Sequence, residues 1–208
     1  MVAKTPDEAL EWFNDRKGQA EISQAENDAI YYGSAIAYQE KGEYDEARKL
    51  LKSLIDRAPH IAYELQMADL ELDAGRDNQA IDQLAGLYQS FPGNHAISMQ
   101  YSEALLKSQK PQQAETAAVV LRQQLLTHPN DPMLYELYAR SANIAGDSVR
   151  AKEAIAESYY LRGGIHEAAM QLQELSNSAD LDYYQRARIT ARIDELRMEL
   201  AKLGLDKT

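Results

Sequence analysis

Apolar residues recur along the chain at the spacing of α-helices. Two stripes show the pattern: Tyr44, Ala47, Leu51, Leu54 and Ile55; then Ala80, Ile81, Leu84, Leu87 and Tyr88. Residues that recur every three or four positions share one face of a helix, whereas a half-buried strand alternates apolar and polar residues. No segment of the sequence alternates in that way. The pattern predicts an all-α protein.

The helical stripes belong to an internal repeat. The segment KGEYDEARKLLKSLIDRAP (41–59) aligns with AGRDNQAIDQLAGLYQSFP (74–92). The aligned pairs, each 33 residues apart, are Gly42 with Gly75, Ala47 with Ala80, Leu51 with Leu84, and Pro59 with Pro92. This spacing resembles the period of about 34 residues in the tetratricopeptide repeat.

The repeated residue types suit a pair of packed helices. Glycine tolerates the left-handed conformation that follows a helix end. Ala47 and Ala80 allow two helix axes to approach closely, and proline ends the helix that precedes it. The sequence therefore predicts a right-handed tetratricopeptide-repeat solenoid of four to five helix pairs, closed by a long C-terminal helix.

A third copy begins near His95 and departs from the pattern. It has Ala114 at the alanine position and Pro129 at its end, but Gln109 replaces the glycine. About three extra residues are expected to lengthen its second helix, given the usual period.

A fourth copy begins at Pro132 and carries Gly146 and Ala151, together with Tyr135 and Tyr138. Asp131 is the expected N-cap of its first helix, because aspartate accepts backbone hydrogen bonds and proline is favoured at the first helical position.

The register then changes by half a repeat. Gly163 follows Gly146 by 17 residues, so the helix over 148–161 is predicted to serve two successive repeats. The next segment, IHEAAMQLQEL, becomes a second-helix sequence. Its inward residues are predicted to be Ile165, Ala168, Ala169, Leu172 and Leu175.

The same segment partly matches the H-E-x-x-H helix of zinc proteases. His166 and Glu167 are present, but Met170 occupies the second histidine position. A catalytic zinc needs three protein ligands and an open water position, and no other histidine lies nearby in sequence. We therefore predict no metal ligand and no catalytic residue in this chain, and assign His166 to a solvated helix face.

The N-terminal segment 1–23 is predicted to be a linker or capping element ahead of a repeat domain over 24–208. An amphipathic helix over 6–18 carries Trp12 and Phe13. It either caps the first repeat or anchors the chain to an upstream domain, since terminal repeats of solenoids need caps.

A last helix is predicted over 181–203, and the C-terminal capping segment that contains it starts at about residue 180. Its apolar stripe is Ile189, Ile193, Leu196, Leu200 and Leu203. This stripe is expected to cover the last repeat in a monomer, and a short heptad seam that joins two chains is the alternative. Segment 180–208 holds six basic and six acidic residues, so its arginines (Arg186, Arg188, Arg192 and Arg197) indicate a solvated face with ion pairs.

Composition narrows the functional classes. The net charge of −11 and pI near 4.8 disfavour a nucleic-acid partner. The chain has no cysteine, which excludes disulfides and thiol catalysis.

No apolar run reaches the roughly 20 residues of a membrane span. The start, MVAKTPDEAL, lacks the apolar region of a signal peptide, so if the protein is exported, its signal is expected to lie outside this chain.

The order of these features resembles one family. GSAIAYQEKGEYDEARKLL opens the repeats, YYLRGGIHEAAMQLQEL makes the half-register step, and YYQRARITARIDELR closes the chain. Over about residues 24–200 this order is similar to the C-terminal region of periplasmic M48 metalloproteases of the β-barrel assembly-enhancing group. The resemblance implies a periplasmic parent protease whose zinc lies in a protease domain outside this chain. It also implies three kinds of partner: the barrel-assembly machinery, unfolded outer-membrane proteins, and the protease domain itself.

In tetratricopeptide arrays the first helices of successive pairs line a surface that receives a peptide. The register predicts these outward residues: Tyr32, Ile36, Gln39, Leu65, Asp69, Leu72, Met99, Glu103, Glu136, Arg140 and Asn143. The alternative function is a free-standing repeat adaptor without a protease partner. A signal sequence and an H-E-x-x-H helix upstream of Met1 would distinguish the protease from the adaptor.

Overall fold

A computed structural model describes residues 5–17 and 22–204, which form eleven α-helices and no strand. The helices are α1 (Pro6–Lys17), α2 (Gln24–Glu40), α3 (Tyr44–Arg57), α4 (Ile61–Asp73), α5 (Asp77–Ser90), α6 (His95–Lys107), α7 (Pro111–Thr127), α8 (Pro132–Ile144), α9 (Ser148–Leu161), α10 (Ile165–Ser176) and α11 (Tyr183–Lys202). The described residues divide into two compact units, one that ends at Ser90 and one that begins at Phe91. The predicted all-α fold is confirmed.

The first unit packs each helix against the next, from α1 to α5. Its core contains side chains from α2, α3 and α4: Ala35, Ala47, Leu51, Leu54 and Leu70. Ala47 is fully buried, as expected for the position where α2 and α3 cross. The small side chain is what allows this close contact.

The N-terminal helix α1 packs on α2, which is the contact that a capping role requires. Leu10 is buried, and the ring of Phe13 lies directly over Gly33. A Cβ atom at Gly33 would lie 2.1 Å from the Cζ atom of Phe13, so glycine is needed for this approach. The neighbouring Trp12 remains 44% exposed.

The second unit also packs successive helices, from α6 to α11. Helix α9 contacts both α8 and α10, as the half-register step predicts. The inward stripe of α10 and that of α11 share one core, which contains Ala168, Leu172, Leu175, Ile189, Ile193 and Leu196. Leu203 departs from the prediction: it is 57% exposed because it lies at the C-cap, after the helix has ended.

Four helix ends share one turn geometry. In each, an N–H donates to a carbonyl five residues earlier: Glu43 to Tyr38, Arg76 to Glu71, Asp147 to Ala142, and Gly164 to Tyr159, at 2.8–2.9 Å. The residue before each donor is a glycine with positive φ: Gly42, Gly75, Gly146 and Gly163. This is the Schellman arrangement, in which the left-handed residue closes the helix.

Gln109 adopts the glycine conformation at the third turn, with φ of 55°. We expect Gln109→Gly to raise the free energy of unfolding by about 0.5–1 kcal/mol, because an L side chain is strained there. The opposite change, Gly146→Ala, is expected to lower the free energy of unfolding by about 1 kcal/mol. The added methyl group would lie in open space, so the loss comes from the φ of 88° alone. Urea unfolding of both variants checks the pair, and a loss of stability in Gln109→Gly would contradict the strain argument.

Two local predictions for the third and fourth copies are also confirmed. Helix α7 has 17 residues, three more than the 14 of α3 and of α5. Helix α8 begins with Pro132 at its first turn, and the Asp131 side chain accepts a hydrogen bond from the Met133 N–H at 2.9 Å.

Candidate protein-binding surface

In the first unit, α2 and α4 are joined by a chain of side-chain hydrogen bonds. The Tyr32 hydroxyl donates to Gln66 Oε1 at 3.3 Å, and Gln66 Nε2 donates to Gln39 Oε1 at 2.8 Å. Residues 32 and 66 are 34 positions apart, close to the repeat offset of 33, so the bonds link neighbouring faces of two successive first helices. We call this surface the α2–α4 face.

Gln39 extends the same chain to two carboxylates. Its Nε2 group donates to Asp69 Oδ2 at 3.1 Å and to Asp73 Oδ2 at 2.7 Å. Gln39 is only 8% exposed. It therefore holds the two aspartates in position and offers little surface of its own to a ligand.

An aromatic pair lies on the α2–α4 face beside the hydrogen bonds. The rings of Tyr32 and Tyr63 are 5.5 Å apart between centroids and tilted by 46°. Burial raises the pKa of Tyr32, and the neighbouring Tyr63 and the Asp69 carboxylate raise it further. The Tyr32 hydroxyl is therefore a neutral donor at physiological pH.

The structure places the six predicted residues of the first unit on α2 and α4. Tyr32, Gln39 and Asp69 belong to the network just described. The three aliphatic members, Ile36, Leu65 and Leu72, are each half-buried. The assignment of these residues to a binding surface remains a prediction.

The five predicted residues of the second unit lie on α6 and α8. Glu136 is tied to α9, because Arg162 Nη2 donates to it at 2.6 Å and Ser158 Oγ at 3.0 Å. Both charged side chains remain about half exposed, so this pair contributes little to stability. The other members are Met99, which is half-buried, and the exposed Glu103, Arg140 and Asn143.

A groove of about 410 Å³ in the second unit was not predicted from the sequence. Its lining includes the buried Leu172 and Ile189, together with Tyr135 and Tyr138 of α8. Burial raises the pKa of Tyr135, with a further contribution from Glu157.

Two bidentate ion pairs also line the groove. Arg188 donates twice to Glu153, and Arg192 donates twice to Glu157, all at 2.8 Å. In both pairs the partners are 35 residues apart in sequence, about one repeat. Because this offset is the same for both pairs, α11 runs parallel to α9. Hydrogen bonds to Glu157 raise the pKa of Arg192. The sequence does contain a sign of these ion pairs: the two arginines of α11 and the two glutamates of α9 are each four residues apart.

His166 lies on an exposed position of α10. Within residues 5–17 and 22–204, no three histidine, aspartate or glutamate side chains are grouped to hold a metal ion. The same residues contain no helix with the length and hydropathy to cross a membrane.

The glycine turns, the crossing alanines and the one-repeat offset between parallel helices define a tetratricopeptide-repeat protein, a class of protein-interaction domain. The tetratricopeptide-repeat family matches residues 29–60 directly. The chain is similar to the β-barrel assembly-enhancing protease of Escherichia coli K12, with 31% identity over 170 residues. The match covers 81% of this chain and 34% of that protein.

A putative β-barrel assembly-enhancing protease of Vibrio cholerae is 26% identical over 194 residues, covering 93% of this chain and 39% of its own length. The chain thus spans about a third of the length of the curated relatives it matches.

Solved structures support the fold alone. The C-terminal part of a repeat protein from Cytophaga hutchinsonii superposes with a TM-score of 0.60 at 16% identity, covering 93% of this chain and 75% of that one. A MamA fragment from Desulfovibrio magneticus RS-1 superposes with a TM-score of 0.58 at 19% identity, covering 83% of this chain and 96% of that one.

Proposed function

We propose that this chain is the protein-binding part of a larger exported zinc metalloprotease and chaperone. It would recruit outer-membrane β-barrel assembly components or client polypeptides. The observation that carries the proposal is the similarity over most of this chain to one third of a β-barrel assembly-enhancing protease. The chain itself supplies the recruiting surface and no chemical step.

The open faces of the first helices are the surfaces on which binding would occur. The α2–α4 face combines tyrosine rings, half-buried aliphatic residues and carboxylates, a mixture suited to an extended segment with apolar side chains. Tetratricopeptide arrays commonly receive peptides on this side. The acidic groups would discriminate against acidic segments.

The zinc of such a protease would lie in a domain outside this chain, since the only partial match to a zinc helix here is the exposed His166 segment. The name of the curated relatives supports a periplasmic location, where unfolded outer-membrane proteins pass. In that compartment the repeat region would hold a client or an assembly component near the protease domain.

Charge reversal on the first helices tests the proposal. The combined change Asp69→Lys, Glu103→Lys and Glu136→Lys is expected to weaken binding of a purified, urea-unfolded outer-membrane β-barrel protein. Few residues carry most of the energy of an interface, and each of these three lies on a first helix of its own unit. Fluorescence anisotropy of the labelled barrel protein gives the dissociation constant.

The matched control carries the same charge change on second helices: Asp56→Lys, Asp82→Lys and Glu115→Lys, all at exposed positions. Circular dichroism of both variants shows whether the helices persist. Equal weakening by the two variants, both folded, would place the binding surface elsewhere on the chain.

A further inference from the structure

The charges of the first unit are segregated between its helices. Helices α2 and α4 together contain seven acidic residues and no lysine or arginine. Helix α3, between them in sequence, contains four basic and three acidic residues. In the second unit, α6 and α8 each carry one acidic and one basic residue. Among the first helices of the pairs (α2, α4, α6 and α8), the excess of negative charge is thus confined to α2 and α4.

Part of this negative charge is neutralised within the chain. The ion pairs that the structure describes for α2 and α4 involve Glu26, Asp28 and Glu71, whose partners are arginines of α1, α3 and the turn before α5. Asp69 and Asp73 are bound differently, because they share the single side-chain amide of Gln39. These two carboxylates therefore lie side by side with a neutral partner.

Their position makes this arrangement unfavourable in the free chain. Asp69 and Asp73 are four residues apart, so their like charges repel on one helix face. Asp73 is also the last residue of α4, where the helix dipole is negative, and Asp69 lies one turn earlier. A cation bound between them relieves both effects.

The hydrogen-bonding capacity of the site defines the ligand further. Two carboxylates offer about eight acceptor positions, and Gln39 fills two of them. A group that is both a cation and a hydrogen-bond donor suits these free acceptor positions, as the side chains of lysine and arginine do. The rings of Tyr32 and Tyr63 supply an aromatic surface of the kind that attracts such groups and their aliphatic stems.

We propose, on the basis of the protein-binding function above, that the α2–α4 face binds an extended polypeptide segment through a lysine or arginine side chain. The cationic group bridges Asp69 and Asp73, and an adjacent apolar residue packs on Tyr32 and Tyr63. The selected partner is thus a segment with a basic residue next to an apolar one.

The probe for this proposal is a fluorescein-labelled Gly/Ser peptide with a central Leu-Lys-Leu sequence. Matched peptides carry Leu-Gln-Leu or Leu-Glu-Leu. We expect the Leu-Lys-Leu peptide to bind about tenfold more tightly than the other two, by fluorescence anisotropy. The double variant Asp69→Asn/Asp73→Asn should remove this preference, because asparagine keeps the shape and the hydrogen bond to Gln39 but not the charge.

The control Asp56→Asn/Asp82→Asn makes the same change in net charge on α3 and α5. It should leave the dissociation constant of the Leu-Lys-Leu peptide within about twofold of the original chain. Equal weakening by both double variants would overturn the proposal in favour of general attraction to an acidic protein. Absence of any preference among the three peptides would also overturn it.

The unfolded barrel protein separates this inference from the proposed function. If that protein binds and its binding falls with the triple reversal, while the three peptides bind alike, the proposed function stands and the inference fails. If the barrel protein does not bind the folded chain, the proposed function fails, whatever the three peptides show.

Discussion

Replacement of Arg48 by methionine is expected to lower the free energy of unfolding of the first unit by about 3–5 kcal/mol. Glu71 is 1% exposed, and its carboxylate accepts hydrogen bonds from Arg48 Nε at 2.6 Å and Nη2 at 3.0 Å. Arg76 lies farther away, at 3.6 Å. Without Arg48, a buried carboxylate loses its two closest charged hydrogen bonds, and that loss is costly.

Hydrogen bonds to Glu71 raise the pKa of Arg48 above its ordinary value. A group with a raised folded-state pKa contributes fully below its unfolded pKa, which for arginine lies far above physiological pH, and loses the contribution only at higher pH. The loss in Arg48→Met is therefore expected to be equal between about pH 7 and about pH 9. Urea unfolding followed by fluorescence of Trp12, the single tryptophan, reports on this unit.

The double variant Arg48→Met/Glu71→Leu is the control. It removes both charges and leaves apolar groups of similar size, so its stability should lie within about 1 kcal/mol of the original chain. If Arg48→Met alone costs less than about 1 kcal/mol, the pair does not hold α3 to α4 as described.

Truncation of Leu196 to alanine is expected to cost the second unit about 2–5 kcal/mol. Leu196 is 1% exposed and lies in the core that α11 shares with α10. The cavity would open beneath the last helix, so both the loss of burial and the unfilled space contribute. Thermal unfolding by circular dichroism measures the effect.

Leu203→Ala is the matched control, because Leu203 is 57% exposed and should change stability by less than about 0.5 kcal/mol. Light scattering on Leu196→Ala also tests the dimer alternative for α11. If the original chain is a dimer and the Leu196→Ala variant is a folded monomer, this stripe joins two chains instead of covering α10.

The helix boundaries and turns were accessible from the sequence because each depends on local chemistry. Gly146 and Gly163 mark left-handed turns, and Asp131 marks a helix start. The buried stripe of α10 followed from its register alone. Even Gln109 could be placed by alignment, although glutamine gives no local sign of a positive φ.

Contacts between helices were not accessible in the same way. The pattern of charges on α11 indicated a solvated face with ion pairs, but Arg188 and Arg192 bind glutamates of α9, 35 residues away. The pair of Arg48 with Glu71 is similarly non-local. Which charged residue reaches which depends on how two helices are rotated and offset, and periodicity within one helix does not determine that.

The candidate site shows the same limit. The register identified Tyr32, Gln39 and Asp69 as members of one face, but it treated each as a separate surface position. The structure adds Gln66 and Asp73, which join the three into a network. It also adds Tyr63, whose ring completes the aromatic pair.

We propose that the first helices of the repeats carry the protein-binding surface. The most direct test of this proposal is the ratio of two dissociation constants for an unfolded outer-membrane β-barrel protein. One belongs to the first-helix reversal (Asp69, Glu103 and Glu136 to Lys), the other to the second-helix control. We expect the first-helix variant to bind at least about tenfold more weakly than the control. A ratio near one, with both variants folded, would contradict it.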